Sequence, residues 1–330
     1  MIYAYGVTEQ GTYHIKNGIV CQDAHLFIRK DKNFVVAAVA DGLGSEKYSD
    51  VASKIAVKVV CEQCAAKLNT KSKEVEILRE IKASFFSALT AIEDAADQNG
   101  HDLDQYDTTL SVAILIDETL YYGHSGDSGI IALGVDGQYE AVTKQQRDED
   151  DRVFPLFFRE HWEFKKFVKP VAAVFLGTDG MYEILFPYLL KNEPQKIHVA
   201  LAGHFIDDRQ LNIAKVGEKA VQERMTDYVK NISDKKVNDD KTILCLINTA
   251  SKIKYQPEEY YKEPNWAELK AKFDEEWRRA AYPHLYKNEK KDDKGGVSGA
   301  AVALAKGAAP TTVVPVLDDT KAEVPAEGKK

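Results

Sequence analysis

The chain has 330 residues, enough for one large domain or two ordinary ones, and its content of 44% hydrophobic and 29% charged residues excludes a fully disordered protein. The formal net charge of −8 argues against a protein that binds nucleic acid through phosphates. The sequence lacks any apolar run of about 18 residues, which argues against a membrane-spanning helix, and its first residues lack the pattern of a secretory signal.

The four cysteines are too few for a disulfide framework. Cys61 and Cys64 have the C-x-x-C spacing but lie inside a helical pattern, and a zinc site would need a second pair that the sequence does not contain. We therefore expect a reducing, cytoplasmic location for this protein.

Strands and helices alternate through residues 1–250. Residues 34–40 form an apolar run that predicts a buried strand, and residues 49–68 and 73–98 have helical patterns. Four strand candidates with turns between them follow and predict an antiparallel meander; they are residues 108–116, 119–124, 128–133 and 138–143.

A further buried strand is predicted at residues 172–177, a long helix at 208–231 and a final strand at 242–247. Clustered strands accompanied by long helices favour a layered α+β domain over a doubly wound βαβ fold.

The sequence beyond residue 250 has a different character. Trp266, Leu269, Phe273 and Trp277 share one face of a predicted helix at 265–286, which either docks on the main domain or binds a partner. Residues 291–330 lack aromatic side chains and predict a flexible, low-complexity tail. The predicted organisation is a domain at 1–250, a helical extension at 251–290 and a tail at 291–330.

Acidic residues stand beside four of the strands. Asp41 and Asp179 each follow a buried strand and precede a glycine, Asp127 lies between two strands, and Asp239-Asp240 precedes the final strand. One Asp-Gly alone is most often a turn. Aspartates at four strand ends together predict an all-oxygen site for a hard divalent cation, Mg²⁺ or Mn²⁺.

These motifs, in this order, resemble the metal-dependent (type 2C) protein Ser/Thr phosphatases, and in particular their bacterial branch. The matching pieces are Cys21-Gln-Asp-Ala24, Val39-Ala-Asp-Gly-Leu-Gly44, Asp107-Thr-Thr109, Gly123-His-Ser-Gly-Asp-Ser128, Gly177-Thr-Asp-Gly180 and Asn238-Asp-Asp-Lys-Thr242. The resemblance covers residues 1–250. It implies a four-layer αββα sandwich, in which two antiparallel β-sheets are flanked by helix pairs and the metals lie at one end.

The resemblance also implies roles for individual residues. Asp41 corresponds to the aspartate that bridges two metal ions, and the carbonyl of Gly42 to a ligand of the second ion. Asp179 and Asp239 correspond to the remaining ligands of the first ion. These three aspartates would act in catalysis through a metal-bound water that attacks phosphorus directly, so that no covalent intermediate forms.

Other acidic residues have weaker counterparts in the family. Asp127 and Glu183 correspond to residues that hold a third, weaker metal ion. Asp23 corresponds to an acid that meets the metals through water. Asp240 lies where the family has Asn or Asp, outside the direct ligands.

The sequence departs from the family at three places. Leu43 stands where many eukaryotic members have the histidine proposed as general acid. An arginine that binds the substrate phosphate is absent before Asp23, and its weak replacements are His14 and Lys16. Gly129 replaces an arginine, which we expect to remove a structural ion pair rather than activity.

Residues 144–170 correspond to the mobile flap of the family. The aromatic residues there, among them Phe154, Phe157 and Trp162, either select the phosphoprotein or pin the loop to the domain.

The leading interpretation is a phosphatase acting on phosphoproteins of a Ser/Thr kinase system, without nucleic-acid or membrane partners. The alternatives are a non-catalytic scaffold with the phosphatase fold and a phosphatase dedicated to one regulatory partner, such as an anti-sigma antagonist. Retention of Asp41, Asp179 and Asp239 argues against the scaffold.

Overall fold

The computed structural model describes residues 1–286. The described chain forms two compact units, one of Met1–Leu190 and Pro194–Glu263, the other of Lys191–Glu193 and residues 264–286. The predicted tail at 291–330 lies outside the described residues. The predicted domain bounds at residues 250 and 290 stay predictions.

The larger unit contains two antiparallel sheets of five strands each. The strands are β1 (Ile2–Glu9), β2 (Asp23–Asp31), β3 (Phe34–Asp41), β4 (Leu110–Ile116), β5 (Thr119–Ser125), β6 (Gly129–Gly134), β7 (Tyr139–Ala141), β8 (Glu163–Lys166), β9 (Val171–Gly177) and β10 (Lys241–Asn248). The first sheet has the order β1-β10-β9-β6-β7 and the second β2-β3-β4-β5-β8.

The larger unit also contains α-helices. In chain order they are α1 (Thr12–Asn17), α2 (Ser49–Lys67), α3 (Glu74–Asn99), α4 (Asp179–Tyr182), α5 (Val199–Ile206), α6 (Asp208–Leu211), α7 (Ile213–Val216) and α8 (Glu218–Lys230). Helices α2 and α3 pack on the second sheet, and α5 to α8 pack on the first. Every helix within residues 1–286 is too short or too polar to cross a bilayer.

Strand β3 shows why this arrangement needs a continuous apolar run. Val36, Ala38 and Ala40 face α2 and α3, and the residues between them face the other sheet, in the core that includes Leu244 and Leu246. Successive side chains of a strand point to opposite faces, and both faces of β3 are buried. The predicted α+β fold of two antiparallel sheets between helical layers is confirmed.

The predicted meander is wrong in one respect. Strands β4 and β5 form a hairpin in the second sheet, whereas β6 and β7 form a hairpin in the first. The chain crosses between the sheets at Gly126, whose φ of 105° lies in a region that favours glycine. This crossing carries Asp127 to the edge shared by the two sheets.

The helix predicted at 208–231 is divided into α6, α7 and α8. Asn212 and Gly217 adopt φ values of 51° and 89°, which interrupt the helical backbone. Asn tolerates the left-handed conformation better than most residues, and Gly adopts it freely. The helical spacing of apolar residues continues across these two breaks. The sequence pattern therefore predicted a single helix.

The smaller unit contains the helix α9 (Trp266–Ala281), followed by a 3-10 turn at Pro283–Tyr286. The Asn265 side chain accepts a hydrogen bond from the Glu268 backbone N–H at 3.3 Å and caps the helix start. The helix ends earlier than the predicted residue 286 because Pro283 has no N–H to donate and disfavours a helical residue before it.

Candidate metal centre

Strand pairing brings the predicted acidic residues to one edge of the sandwich. Asp23, at the start of β2, lies opposite Asp41, at the end of β3. Gly177, at the end of β9, pairs with Gly129 of β6 and with Ile243 of β10. Because neighbouring strands are antiparallel, the starts of β2, β6 and β10 meet the ends of β3 and β9 at this edge.

The backbone around Asp41 is fixed by two threonines. The Asp41 carbonyl accepts hydrogen bonds from Thr109 N–H at 2.7 Å and from the Thr108 hydroxyl at 2.9 Å. The Asp41 N–H donates to Thr109 Oγ1 at 3.0 Å. A Cβ on Gly42 would lie 2.7 Å from the carbonyl oxygen of Ser49, so only glycine fits where β3 runs past the start of α2.

Asp23 joins the two sheets at the same edge. Its side chain is buried, and Oδ2 accepts a hydrogen bond from the Thr178 hydroxyl at 2.8 Å. Its other oxygen, Oδ1, is buried without a hydrogen-bond partner in the described structure. A buried carboxylate oxygen without a donor is costly unless a cation or an ordered water satisfies it.

Asp239 and Asp240 have different surroundings although they are adjacent. The buried Asp240 carboxylate accepts hydrogen bonds from the backbone N–H groups of Gly11 at 2.6 Å and Gln22 at 2.7 Å, and Asp239 has 54% of its side chain exposed. Asp240 therefore ties two loops together, whereas the Asp239 carboxylate is open to a ligand.

The two basic residues predicted to bind the substrate phosphate, His14 and Lys16, differ in their exposure to solvent. His14 is buried, with Nδ1 2.9 Å from Asp240 Oδ1 and Nε2 3.6 Å from Asp239 Oδ1. One donor atom from each of these three side chains lies within 4.8 Å of the others, a spacing compatible with a metal ion. Lys16 is exposed and lies 3.8 Å from Asp234.

The sequence analysis missed Arg147 as a member of this cluster. Its Nη2 lies 2.7 Å from Asp127 Oδ2, 2.9 Å from Glu183 Oε1 and 3.8 Å from Asp179 Oδ2. The structure thus brings together Asp127, Asp179 and Glu183 around one guanidinium. The only signal in the sequence is the charged run at residues 147–152, four acidic residues flanked by two arginines, and such a run is more typical of a solvated loop.

Burial and mutual repulsion disfavour the charged form of these acids. Burial raises the pKa of Asp41 and of Asp23 well above the usual range, and the neighbouring carboxylates add to the effect. Burial also raises the pKa of Asp127 to about 7. The neighbouring Asp179 carboxylate adds to this shift, and the Arg147 guanidinium opposes it. Burial also raises the pKa of Asp239 and Glu183.

The donor set fits a hard divalent cation. Asp41, Asp179 and Asp239 offer carboxylate oxygens from the ends of rigid strands, and Asp23 Oδ1 is an orphaned oxygen beside them. Mg²⁺ and Mn²⁺ prefer such oxygen ligands. A cation would also compensate the carboxylates whose pKa values are raised, as one guanidinium cannot neutralise all of them.

A protein-family model, described as protein phosphatase 2C, matches residues 10–206. The chain belongs to the protein phosphatase 2C family. The resemblance inferred from the sequence is therefore confirmed, and the protein is a PP2C-type protein serine/threonine phosphatase, of a family that depends on metal ions. A search of curated protein sequences finds no match.

Solved bacterial phosphatases share the fold of this PP2C chain at low sequence identity. One is a bacterial serine phosphatase (14% identity, TM-score 0.53, covering 75% of this chain and 98% of that one). Another is the serine/threonine phosphatase PstP/Ppp of Mycobacterium tuberculosis (15%, 0.50, 74% and 98%). A third is the serine/threonine phosphatase of S. agalactiae (13%, 0.50, 75% and 99%).

Gly129, which stands where many family members have an arginine, lies against the ring of Tyr182 in this phosphatase. A Cβ on Gly129 would lie 2.1 Å from a ring carbon of Tyr182. The Tyr182 hydroxyl donates a hydrogen bond to the Thr143 carbonyl at 3.1 Å. The tyrosine ring therefore fills the space beside residue 129, and a larger side chain there would displace it.

The flap, residues 144–170, is pinned by some aromatic side chains and exposes others. The Trp162 ring packs 5.4 Å from Phe85, and its Nε1 donates to the Leu156 carbonyl at 2.9 Å. Phe157 packs partly buried against the same core, and Phe158 is exposed. The packing of Phe157 and Trp162 favours the pinning interpretation for these two residues, and a role of the flap in selecting the phosphoprotein stays a prediction.

Proposed function

We propose that this PP2C phosphatase removes phosphate from phosphoserine and phosphothreonine of proteins in a single displacement by water. The observation that carries the proposal is the convergence of Asp41, Asp179 and Asp239 on one sandwich edge, where burial and repulsion call for a cation. Family membership supports the reaction class, and this cluster supports the location that we propose for the active site.

Two Mg²⁺ or Mn²⁺ ions would be held by Asp41, Asp179, Asp239 and the Gly42 carbonyl, with Asp23 meeting them through water. Divalent ions bound there lower the pKa of water toward about 7 and neutralise charge on a phosphoryl group. The protein's own part is to fix the ligands. The Thr108 and Thr109 bonds to the Asp41 backbone and the Thr178 bond to Asp23 do so.

The cysteines offer no alternative nucleophile. Cys61, Cys64 and Cys245 are buried, and burial raises the pKa of the last two to about 12. Burial also raises the pKa of the partly exposed Cys21. A thiol attacks as the thiolate, which these shifts disfavour at neutral pH. This supports hydrolysis without a covalent phosphoenzyme.

His14 and Lys16 remain the candidates for contact with the substrate phosphate. The burial of His14 between Asp239 and Asp240 favours an orienting role for that side chain. Lys16 is exposed and therefore open to an incoming phosphoprotein. The physiological substrate we propose is a phosphoprotein of a cytoplasmic Ser/Thr kinase system.

The first experiment is hydrolysis of p-nitrophenyl phosphate and of a phosphothreonine peptide with Mn²⁺, with Mg²⁺ and with EDTA. Asp179→Asn tests the cluster, and Asp94→Asn, at an exposed position of α3, is the matched control. We expect metal-dependent turnover that is lost in Asp179→Asn and kept in Asp94→Asn.

The two alternatives give different results in this experiment. Neither turnover nor bound metal in a folded protein would refute the catalytic proposal and favour a scaffold. Bound metal with turnover on only one phosphoprotein would indicate a phosphatase dedicated to a regulatory partner.

A further inference from the structure

We infer that Arg147 takes the place of the third metal ion, so that the centre of this phosphatase binds two ions and one fixed guanidinium. The inference rests on the proposed function, because it takes the ions at Asp41, Asp179 and Asp239 as given. It departs from the family resemblance, which assigns a third ion to Asp127 and Glu183.

The contacts of one nitrogen carry the inference. Arg147 Nη2 lies 2.7 Å from Asp127 Oδ2 and 2.9 Å from Glu183 Oε1, the two carboxylates expected to share the third ion. It lies 3.8 Å from Asp179 Oδ2, which links it to the proposed two-metal centre. A permanently charged group thus stands at the point where these three carboxylates converge.

The flap holds this guanidinium in position. Gln145 Nε2 donates to the Asp127 carbonyl at 3.1 Å, and Gln146 exchanges hydrogen bonds with the backbone of Gly126 at 2.9 and 3.0 Å. Arg147 Nη1 lies 3.3 Å from Asp151 across a bridge between residues 147 and 153. The two residues that precede the arginine are therefore tied to the same loop as Asp127.

A phosphate-clamping role fits these contacts poorly. Nη2 already faces three carboxylates, Nη1 faces Asp151, and Nε is buried without a partner in the described structure. A divalent ion and the guanidinium would repel each other strongly if both occupied the space between Asp127 and Glu183. Binding a third ion thus requires Arg147 to leave.

The test counts bound Mn²⁺ by native mass spectrometry and by calorimetric titration of the full chain. We expect two ions in the wild type and in Arg147→Lys, and three in Arg147→Gln. Removal of the guanidinium should raise the affinity of the third site for Mn²⁺ roughly tenfold or more. This is the scale on which one positive charge changes proton binding by a nearby carboxylate. Arg152→Gln, in the same loop with 77% of its side chain exposed, is the control and should bind two.

A second pair of variants keeps the test valid if Arg147→Gln does not fold. Asp127→Asn and Glu183→Gln should each still bind two ions, because neither residue holds an ion in the wild type. An ion lost from either variant would overturn the inference.

The remaining outcomes separate the inference from the proposed function. Three ions in an active wild type would overturn the inference alone, as would a folded Arg147→Gln that stays at two ions. In that last case, weaker inhibition by inorganic phosphate would assign Arg147 to the substrate instead. A wild type that binds no Mn²⁺ would overturn both.

Discussion

The Asp207–Arg209 pair and the acidic edge both bury carboxylates in the larger unit, but they balance the charge differently. The buried Asp207 carboxylate receives both Nε and Nη2 of Arg209, at 3.0 and 2.5 Å from its Oδ2. The Arg209 guanidinium lies 3.6 Å from the ring centre of Tyr255 and 4.4 Å from that of Tyr261. One carboxylate thus meets one guanidinium, and two rings cover the pair.

At the acidic edge, by contrast, Arg147 is shared among several carboxylates, and the pKa of Asp41 and Asp23 is raised well above normal. The balanced pair needs nothing from outside the chain and stabilises the fold. The unbalanced edge costs stability until a cation binds. The acidic edge therefore differs from the Asp207–Arg209 pair because it has more carboxylates than the cationic side chains beside them can neutralise.

The largest expected effect is on turnover in Asp41→Asn. Loss of the carboxylate that we propose bridges the two ions should reduce metal-dependent hydrolysis by about 10³-fold or more, since such ions contribute several kcal/mol to transition-state stabilisation. The same variant should melt at a higher temperature than the wild type in EDTA, because it removes a buried acid from a repulsive cluster. Activity assays and thermal unfolding measure the two changes, and a lower melting temperature in EDTA would contradict the comparison.

Asp207→Asn should affect stability and leave turnover unchanged, in contrast to Asp41→Asn. We expect turnover to be retained and the free energy of unfolding to fall by about 2 kcal/mol, below the range for a fully buried pair because Arg209 is partly exposed. Urea unfolding measures this change. A variant as stable as the wild type would show that the pair is not a stabilising feature.

The pH dependence of the metal-free protein should show the surplus charge directly. The folded protein keeps protons on Asp41, Asp23 and Asp127, whose pKa is raised, to about 7 for Asp127, whereas the unfolded chain releases them near pH 4. Stability in EDTA should therefore fall as pH rises from about 4 to 7, by up to about 1.4 kcal/mol per pH unit for each group.

Melting temperatures across this range, measured with EDTA and with Mn²⁺, test the pH effect. Mn²⁺ should remove most of the loss near neutral pH, because a bound cation replaces the protons. A metal-free protein that is most stable at neutral pH would contradict the pKa directions.

The smallest expected effect is that of Tyr255→Leu. Its ring lies over the Arg209 guanidinium, so replacement by an aliphatic side chain should lower the free energy of unfolding by about 1 kcal/mol, the scale of a partly exposed cation–π contact. Urea unfolding measures it, with Tyr255→Phe, which keeps the ring over Arg209, as the control. Equal losses in the two variants would show that the stacking adds nothing specific.

The sequence predicted the fold where a local pattern depends on burial alone. The apolar run of β3 and the Asp-Gly after it indicated both the strand and the position of Asp41, because both faces of that strand are covered. The crossing at Gly126 was not predictable in this way. A hairpin and a change of sheet have the same turn residues, and only the tertiary structure separates them.

The candidate site shows the same limit for side chains. Asp239 and Asp240 are adjacent acids, and only the N–H groups of Gly11 and Gln22, more than 200 positions away, show which carboxylate is occupied. The place of Arg147 depends on how the flap folds back over Asp127. Contacts of this kind are set by long-range packing, which periodicity does not encode.

The pairing of β1 with β10 bears on how the protein is made. Every residue of β1, from Ile2 to Glu9, has its partner between Lys241 and Asn248, whereas β2 to β5 pair within residues 23–125. During synthesis the second sheet can form early, but the first N-terminal strand must wait for one of the last strands to leave the ribosome. Asp239, one of the proposed metal ligands, immediately precedes that strand, so a nascent chain that stops before it would lack part of the proposed metal centre, and we expect it to be inactive.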